Sequence, residues 1–243
     1  MVDDDRSQPR RPYTVLSCAV SIDGYLGSAG DERLILSNAA DFDRVDGERA
    51  ASDAVLVGAE TVRADDPRLV VRSPARRGAR LARGCPPSPT KVTLTSTAHL
   101  DPRAAFFTAG SSERLVYCAT PCLAAARDQL GAVATLLDGG HPLSLAGVLE
   151  DLHRRGVRRL LVEGGGTVLS ELLTANLVDE LQLVVAPFFV GDPRARRFAD
   201  EGPYPWGPDH RATLAGVQQI DDVVLLRYAM SPRFAACRQE TKP

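Results

Sequence analysis

Short apolar runs separated by helical or polar segments repeat along most of the chain. The runs have the length of buried β-strands and lie at 13–20, 53–58, 91–95, 115–118, 133–137 and 157–163. Helical patterns follow several of them, for example from Ser37 or Asn38 to about Ser52 and over 145–152 after the capping residue Ser144. Because strands that alternate with helices form a covered parallel sheet, this pattern predicts an α/β fold.

The C-terminal third of the chain has a different pattern. Apolar runs at 181–190, 212–219 and 223–230 read as strands, and the last two have no helix between them. The polar residues Asp221 and Asp222 join these two strands and are typical of a tight hairpin turn. We therefore expect a mostly parallel central sheet, flanked by helices, that ends in an antiparallel C-terminal hairpin.

The predicted domain organisation is simple. Residues 1–12 are polar and include two prolines, which predicts a flexible N-terminal arm. No linker interrupts 13–230, so these residues are expected to form a single domain, followed by a C-terminal tail at 231–243. The segment 74–89 carries four arginines among glycines and prolines. We interpret it as an exposed, solvated loop in preference to a binding site for a phosphate-rich partner.

Composition narrows the class of protein. The chain has 243 residues, of which 44% are hydrophobic and 25% charged, as in soluble globular proteins. Its net charge of −2 gives no reason to expect nucleic acid or a membrane as a partner. No apolar run approaches the ~20 residues of a transmembrane helix, and the acidic start is unlike a signal peptide. These features predict a cytoplasmic protein.

Two kinds of catalytic centre find no support in the sequence. The five cysteines and four histidines lack the spacing of a zinc site, and no H-E-x-x-H pattern occurs, so we expect no metal. The G-x-S-x-G elbow of serine hydrolases is also missing.

One glycine-rich segment points to a ligand. The apolar run 160–162 ends in Glu163, and Gly164, Gly165 and Gly166 then lead into a helical pattern. Glycines let backbone N–H groups approach a ligand, and a helix N-terminus favours an anion. The segment lacks the G-x-G-x-x-G and P-loop signatures, so a phosphate site and a tightly packed helix entry both remain open.

A second segment carries several polar groups just past a predicted strand. Thr61, Asp65, Asp66 and Arg72 follow the run 53–58. Ligands of α/β proteins bind beyond the carboxyl ends of strands, which favours a site here. A polar turn held by local hydrogen bonds before a proline is the alternative interpretation.

Four segments together resemble the pyrimidine reductases of riboflavin biosynthesis, which have the dihydrofolate-reductase-like fold. The matching pieces are V-S-I-D-G at 20–24, the run containing T-V-R-A-D-D-P-R-L-V-V-R at 58–72, L-V-E-G-G-G-T at 161–167, and 177–187. They occur in order, and the resemblance spans about 13–228. It implies an α/β reductase domain of that fold.

The resemblance also implies a cofactor, a substrate and their contact residues. NADPH is the expected hydride donor, with a phosphorylated small molecule as substrate. The positions that match cofactor contacts are Thr61, Asp65, Thr95, Ser96, Thr97, Gly164, Gly165, Gly166 and Thr167. Those that match substrate contacts are Arg49, Leu69, Arg72 and Glu163.

The family reaction reduces a ribosylaminopyrimidine 5′-phosphate to its ribityl counterpart, with hydride delivered to C1′ of the ring-opened imine. Asp66 and Glu163 are the candidate polar participants in catalysis, and Arg49 and Arg72 suit recognition of a phosphate. Ser17 stands where many members have lysine or asparagine. The zinc signature of a fused deaminase is missing, and the amino and deaminated substrates both remain open.

Two other functions stay open at this point. One is a reductase of the same fold that acts on a pterin, dihydrofolate or a specialised metabolite. The other is a non-catalytic nucleotide-binding protein. The resemblance further implies a homodimer, for which the apolar strand 223–226 could supply part of the interface.

Overall fold

The computed structural model describes residues 10–30 and 34–240, with side chains up to residue 236. The described residues contain nine strands: β1 (Tyr13–Ser21), β2 (Ala54–Gly58), β3 (Thr90–Thr95), β4 (Arg114–Cys118), β5 (Thr135–Asp138), β6 (Arg159–Glu163), β7 (Glu180–Ala186), β8 (Thr213–Ile220) and β9 (Val223–Ala229). They also contain eight α-helices: α1 (Ala39–Ala51), α2 (Ala59–Asp65), α3 (Pro74–Ala82), α4 (Ala105–Thr108), α5 (Leu123–Leu130), α6 (Leu145–Arg154), α7 (Gly166–Thr174) and α8 (Arg233–Glu240).

All nine strands belong to one sheet, in the order β5-β4-β3-β2-β6-β1-β7-β9-β8. The pairs from β5 to β7 are parallel, whereas β9 pairs antiparallel with both β7 and β8. This arrangement confirms the predicted α/β fold with an antiparallel C-terminal hairpin. Because β6 lies between β1 and β2, the segment that ends at Glu163 runs through the middle of the sheet.

Apolar side chains cover both faces of the central strands. One cluster contains Leu16, Leu56 and Val162, and the other contains the neighbouring Val15 and Val57. Successive residues of a strand point to opposite faces, so two-sided burial requires continuous apolar runs. This requirement explains why the buried strands were visible in the sequence.

Several element boundaries differ from the predicted ones. Asn38 is the residue that caps α1, since its side chain accepts a hydrogen bond from the Asp41 backbone N–H at 2.9 Å. The strand β6 begins at Arg159 instead of residue 157, because the Val157 backbone N–H donates to the Leu152 carbonyl at the end of α6. These shifts arise from capping hydrogen bonds that periodicity does not encode.

The arginine-rich segment 74–89 is only in part the predicted solvated loop, since residues 83–89 lack regular structure and 74–82 are helical. Its first part is the helix α3, which Ser73 caps. Arg76 donates two hydrogen bonds to Asp43 of α1, at 2.6 and 2.7 Å. Arg80 is buried and donates to the backbone carbonyls of Ala50 and Ser52 at the end of α1. The arginines therefore hold α3 against α1, a role that depends on partners far away in the sequence.

Both ends of the described chain meet at the buried carboxylate of Asp179. Arg11 donates to both carboxylate oxygens, at 2.6 and 2.8 Å, and Arg233 and Ser231 donate from the other terminus. Most of the predicted arm lies outside the described residues. The division into arm, domain and tail stays a prediction, to which these contacts add an anchor for Arg11 and Arg233.

Asp46 provides a pH-dependent test of the α1–α3 contact. Burial alone would raise the pKa of Asp46, but hydrogen bonds from the Arg72 and Ser73 backbone N–H groups and from Arg76 outweigh it and lower the pKa. The stability that this carboxylate contributes is therefore present above the unfolded pKa of about 3.9 and is lost as pH falls through the folded pKa.

We expect Asp46→Asn to lower the free energy of unfolding near neutral pH by about 1–3 kcal/mol. The difference from the wild type should shrink on acidification, as measured by urea unfolding near pH 7 and near pH 3. Replacing the exposed Asp128 by asparagine is the control and should change neither value. A difference that is equal at both pH values would contradict the role of the ionised carboxylate.

Candidate active site

A cleft of about 740 Å³ opens at the carboxyl ends of the central strands. Its lining includes Ser17 and Cys18 of β1, Val57 of β2 and Glu163 of β6. The helices α1 and α2 and the glycines after β6 complete the wall. Strand ends in an α/β sheet are the usual place for a ligand, so the cleft is the candidate active site.

The glycine-rich turn forms one side of this cleft. Gly164 and Gly165 have φ angles of +60° and +85°, a conformation that favours glycine. A Cβ atom on Gly165 would lie 2.9 Å from the Thr61 hydroxyl oxygen. Gly165 is also the N-cap of α7, and no side chain caps that helix. The turn thus brings bare backbone next to the start of a helix, as an anion site requires.

Two predicted cofactor residues flank the turn from α2. Thr61 and Asp65 line the cleft together with Gly164 and Gly165. Thr167 lies just beyond the turn on α7, and its hydroxyl accepts a hydrogen bond from Arg196. The structure therefore brings these predicted cofactor residues into one region.

The segment Thr95-Ser96-Thr97 lies at the carboxyl end of β3, beside the cleft and not among the residues that line it. The buried Thr95 hydroxyl accepts hydrogen bonds from the backbone N–H groups of Thr97 and Ala98, at 3.3 and 3.1 Å. These contacts show that Thr95 shapes the turn after β3. The assignment of the segment 95–97 to the cofactor site stays a prediction.

An ion pair between Arg49 and Glu163 also lines the cleft, next to the glycine turn. The Arg49 guanidinium donates from Nε and Nη2 to the two Glu163 carboxylate oxygens, at 2.7 and 2.6 Å. Burial acts to lower the pKa of Arg49, but the Glu163 carboxylate outweighs it and raises that pKa. Both groups face the cleft, and each carboxylate oxygen keeps a lone pair for a further hydrogen bond.

The remaining predicted substrate residues differ in position. Leu69 is buried and lines the cleft. The side chain of Arg72 is 57% exposed and lies outside the lining. Its guanidinium donates to the Phe42 carbonyl at 2.7 Å and lies 5.9 Å from the centre of the Phe42 ring, which does line the cleft. Arg72 is therefore placed at the rim.

Asp66 lies apart from the cleft lining. It adopts a left-handed conformation with φ of +43°, and its carboxylate accepts a hydrogen bond from the Ala105 backbone N–H at 2.6 Å. This contact ties the end of α2 to the start of α4. We therefore do not retain Asp66 as a candidate for the chemistry, and Glu163 is the remaining candidate.

Two charged residues of the cleft were not predicted from the sequence. Asp41 and Arg44 of α1 line it, and Arg44 donates to Asp41 at 2.7 Å. The signal was present, because Asp41, Arg44 and Glu48 recur at the spacing of one helix face. A charged face on a helix resembles a solvent-exposed face, and the polar strand residues beneath it were not recognised as its partners.

Among the described residues, no group of three or more histidine, cysteine or acidic side chains could hold a metal ion. None of the described helices is both long and apolar enough to span a membrane.

The fold and the cleft define an α/β enzyme domain with a glycine turn at the carboxyl edge of a mostly parallel sheet. Residues 12–226 match the RibD C-terminal domain, and the chain belongs to that family. The match covers most of the chain and includes the residues that line the cleft.

Named relatives and solved structures agree with this assignment. The 2,5-diamino-6-ribosylamino-4(3H)-pyrimidinone 5′-phosphate reductase of Archaeoglobus fulgidus is 36% identical over 181 residues, which are 74% of this chain and 83% of that protein. The protein of the same name from Methanothermobacter thermautotrophicus is 32% identical over 191 residues, 78% of this chain and 84% of that one.

A structure of Acinetobacter baumannii RibD superposes with a TM-score of 0.75 at 27% identity, covering 90% of this chain and 58% of the RibD chain. The present chain thus spans little more than half of that protein. A pyrimidine reductase-like protein of Corynebacterium diphtheriae has the same fold, with a TM-score of 0.76 at 21% identity and coverage of 90% and 91%.

We expect Arg49→Met to destabilise the fold, because it leaves the Glu163 carboxylate in a mostly buried place without its cation. The expected loss is about 2–4 kcal/mol in the free energy of unfolding, measured with urea. The double variant Arg49→Met/Glu163→Met should recover most of this loss, since it removes both charges. If the double variant instead lost the sum of the free energies that the two single variants lose, a direct energetic coupling between the two groups would be contradicted.

Proposed function

We propose that this chain is an NADPH-dependent reductase of 2,5-diamino-6-ribosylamino-4(3H)-pyrimidinone 5′-phosphate in riboflavin biosynthesis. The observation that carries the proposal is one cleft that is lined by both the glycine turn and the Arg49–Glu163 ion pair. Relatives from three organisms, each with this activity in its name, are 31–36% identical and have 79–84% of their length covered.

A nicotinamide cofactor is implied by this reductase family, and we propose NADPH. The cradle at Gly165 fits its diphosphate, since a Cβ atom would fill the space beside Thr61 and the start of α7 has no side-chain cap. We assign Thr61, Asp65 and the segment 164–167 to the site of this cofactor. We extend that site to residues 95–97 at the end of β3. When bound, the cofactor supplies the hydride that reduces C1′ of the ring-opened imine.

The substrate half of the cleft suits a polar, phosphorylated molecule. Glu163 accepts hydrogen bonds only, so it suits the sugar hydroxyls, and Arg49 holds its carboxylate in place. Leu69 gives the floor an apolar patch. Arg72 lies at the rim with its guanidinium largely exposed, which suits a phosphate group that remains partly in water.

The chain's own contribution to catalysis is positioning. The ion pair fixes the orientation of the Glu163 carboxylate in the cleft. We assign Glu163 to binding and orientation of the ring-opened sugar, and no side chain has to form a covalent bond with the substrate.

We further propose that the protein is cytoplasmic and forms a homodimer through its C-terminal hairpin. Within the strand 223–226, Val223 and Leu225 are buried in a small apolar cluster, whereas Val224 is 38% exposed. Leu214 and Val217 of β8 are exposed as well. One face of the hairpin thus packs against the core. The other face exposes apolar side chains that a second copy of the chain would cover.

The glycine turn provides a test of the cofactor site. Gly165→Ala places a Cβ on a residue with positive φ and within 2.9 Å of the Thr61 hydroxyl oxygen, so the turn must shift. We expect the Kd for NADPH, measured by fluorescence titration, to rise roughly tenfold or more, equivalent to about 1.4 kcal/mol. Gly207→Ala, which meets no atom within 4 Å, is the control. Equal affinity of both variants for NADPH would show that the turn is not part of the cofactor site.

The proposed activity is tested by NADPH oxidation with the purified wild-type chain. We expect turnover with the diamino form of the ribosylaminopyrimidine phosphate and much slower turnover with its deaminated form. Dihydrofolate is the comparison substrate and should give none. Preferential turnover of dihydrofolate, or NADPH binding without turnover of either pyrimidine, would contradict the proposal.

A further inference from the structure

Three neighbouring strands place polar side chains side by side, and two of these, Ser17 and Glu163, line the cleft. Ser17 of β1 is paired in register with Glu163 of β6 on one side and with Gln182 of β7 on the other. Neighbours at one register position of a sheet point to the same face. Ser17 therefore lies in the middle of a polar row, and its short side chain leaves space above it.

Helix α1 lays two guanidinium groups over this row. Arg49 binds Glu163, and Arg44 donates from Nη1 to the Gln182 side-chain oxygen at 2.5 Å. Nη2 of Arg44 lies 3.5 Å from the Ser17 hydroxyl oxygen, at the limit of a hydrogen bond. The two arginines thus end on either side of Ser17, in the cleft that both of them line.

Arg44 keeps donor capacity in this position. Its three hydrogen bonds to Asp41, Gln182 and Ser17 use three of the five N–H groups of a guanidinium, as far as the described residues show. The weakest of the three is the one directed at Ser17. A guanidinium never accepts a hydrogen bond, so its partner in a ligand must be an acceptor.

The charge balance around Arg44 decides which acceptor this is. Asp41, itself buried, neutralises the guanidinium at 2.7 Å, and the Arg44 side chain is only 16% exposed. A neutralised, buried cation is poorly suited to a phosphate dianion, which would bring net negative charge to that place. It suits an uncharged oxygen, and a carbonyl accepts without competing as a donor.

We propose that Arg44 is a substrate-binding and specificity-determining residue, which donates a hydrogen bond to the ring carbonyl of the pyrimidinone. The inference rests on the proposed function and assigns the ring to the Ser17 side of the cleft. Glu163 then faces the sugar, and Arg72 at the rim faces the phosphate. Gln182 and Asp41 act as positioning residues that hold the guanidinium.

A purely structural role makes a different prediction, because Arg44 also joins α1 to the sheet. Arg159 makes a comparable tie, since it binds Glu48 of the same helix at 2.9 Å but does not line the cleft. Arg159→Met is therefore the matched control for Arg44→Met. Both variants weaken the contact between α1 and the sheet, and only one of them removes a donor from the cleft.

The experiment compares kcat, KM and NADPH affinity for the wild type, Arg44→Met, Arg159→Met and Arg72→Ala. Each is measured with the ribosylaminopyrimidine phosphate and with the same compound lacking the phosphate. We expect Arg44→Met to lower kcat/KM roughly 10- to 100-fold with both compounds, mainly through KM, and to bind NADPH as the wild type does. Arg72→Ala should lose activity only with the phosphorylated compound.

The outcomes separate the competing interpretations. Equal losses in Arg44→Met and Arg159→Met would overturn the inference in favour of a structural role. A loss in Arg44→Met that disappears without the phosphate would overturn it in favour of phosphate binding. Absence of turnover by the wild type would overturn the proposed function, and this inference with it.

A second variant covers the case in which Arg44→Met does not fold. Arg44→Lys keeps the charge beside Asp41 but offers a single ammonium in place of a planar fork. It should retain the fold and NADPH binding and still raise KM with both compounds. An unchanged KM in Arg44→Lys would overturn the assignment of a directed hydrogen bond to the ring.

Discussion

The bidentate ion pair between Arg49 and Glu163 is the interaction on which the cleft depends. It joins α1 to the end of the central strand β6, one residue before the backbone turns at Gly164. Removing two charges from water is costly, and the geometry with both carboxylate oxygens engaged offsets that cost. The pair consequently ties α1 to the sheet directly beside the glycine turn.

Other contacts between α1 and the sheet are polar as well. Arg49 of α1 binds Glu163 of β6, and Arg44 binds Gln182 of β7 and the buried Asp41. An apolar helix would pack against the sheet and close this space. A layer of directed hydrogen bonds instead joins the helix to the sheet and leaves room for a polar ligand. The free energy that is lost by burying these polar groups is therefore connected to the function.

Local patterns in the sequence predicted the parts of the molecule that local physics determines. The buried strands needed continuous apolar runs, and the glycine turn needed residues that tolerate positive φ, as Gly165 does. The prediction of a loop at 74–89 was wrong for 74–82, where Arg80 finds an acceptor on α1 about 30 residues earlier. Arg44 was overlooked for a similar reason, since its partner Gln182 is 138 positions away. Asp66 shows the reverse case, in which a residue of a matching motif makes a capping contact outside the cleft.

The most direct measurement is a crystal structure of the chain with NADP⁺ and the reduced pyrimidine product. We expect the cofactor diphosphate to lie on the backbone N–H groups at Gly165 and the start of α7, with the ribityl chain of the product against Glu163. A diphosphate bound away from the glycine turn, or a product that leaves the Arg49–Glu163 pair without contact, would contradict it.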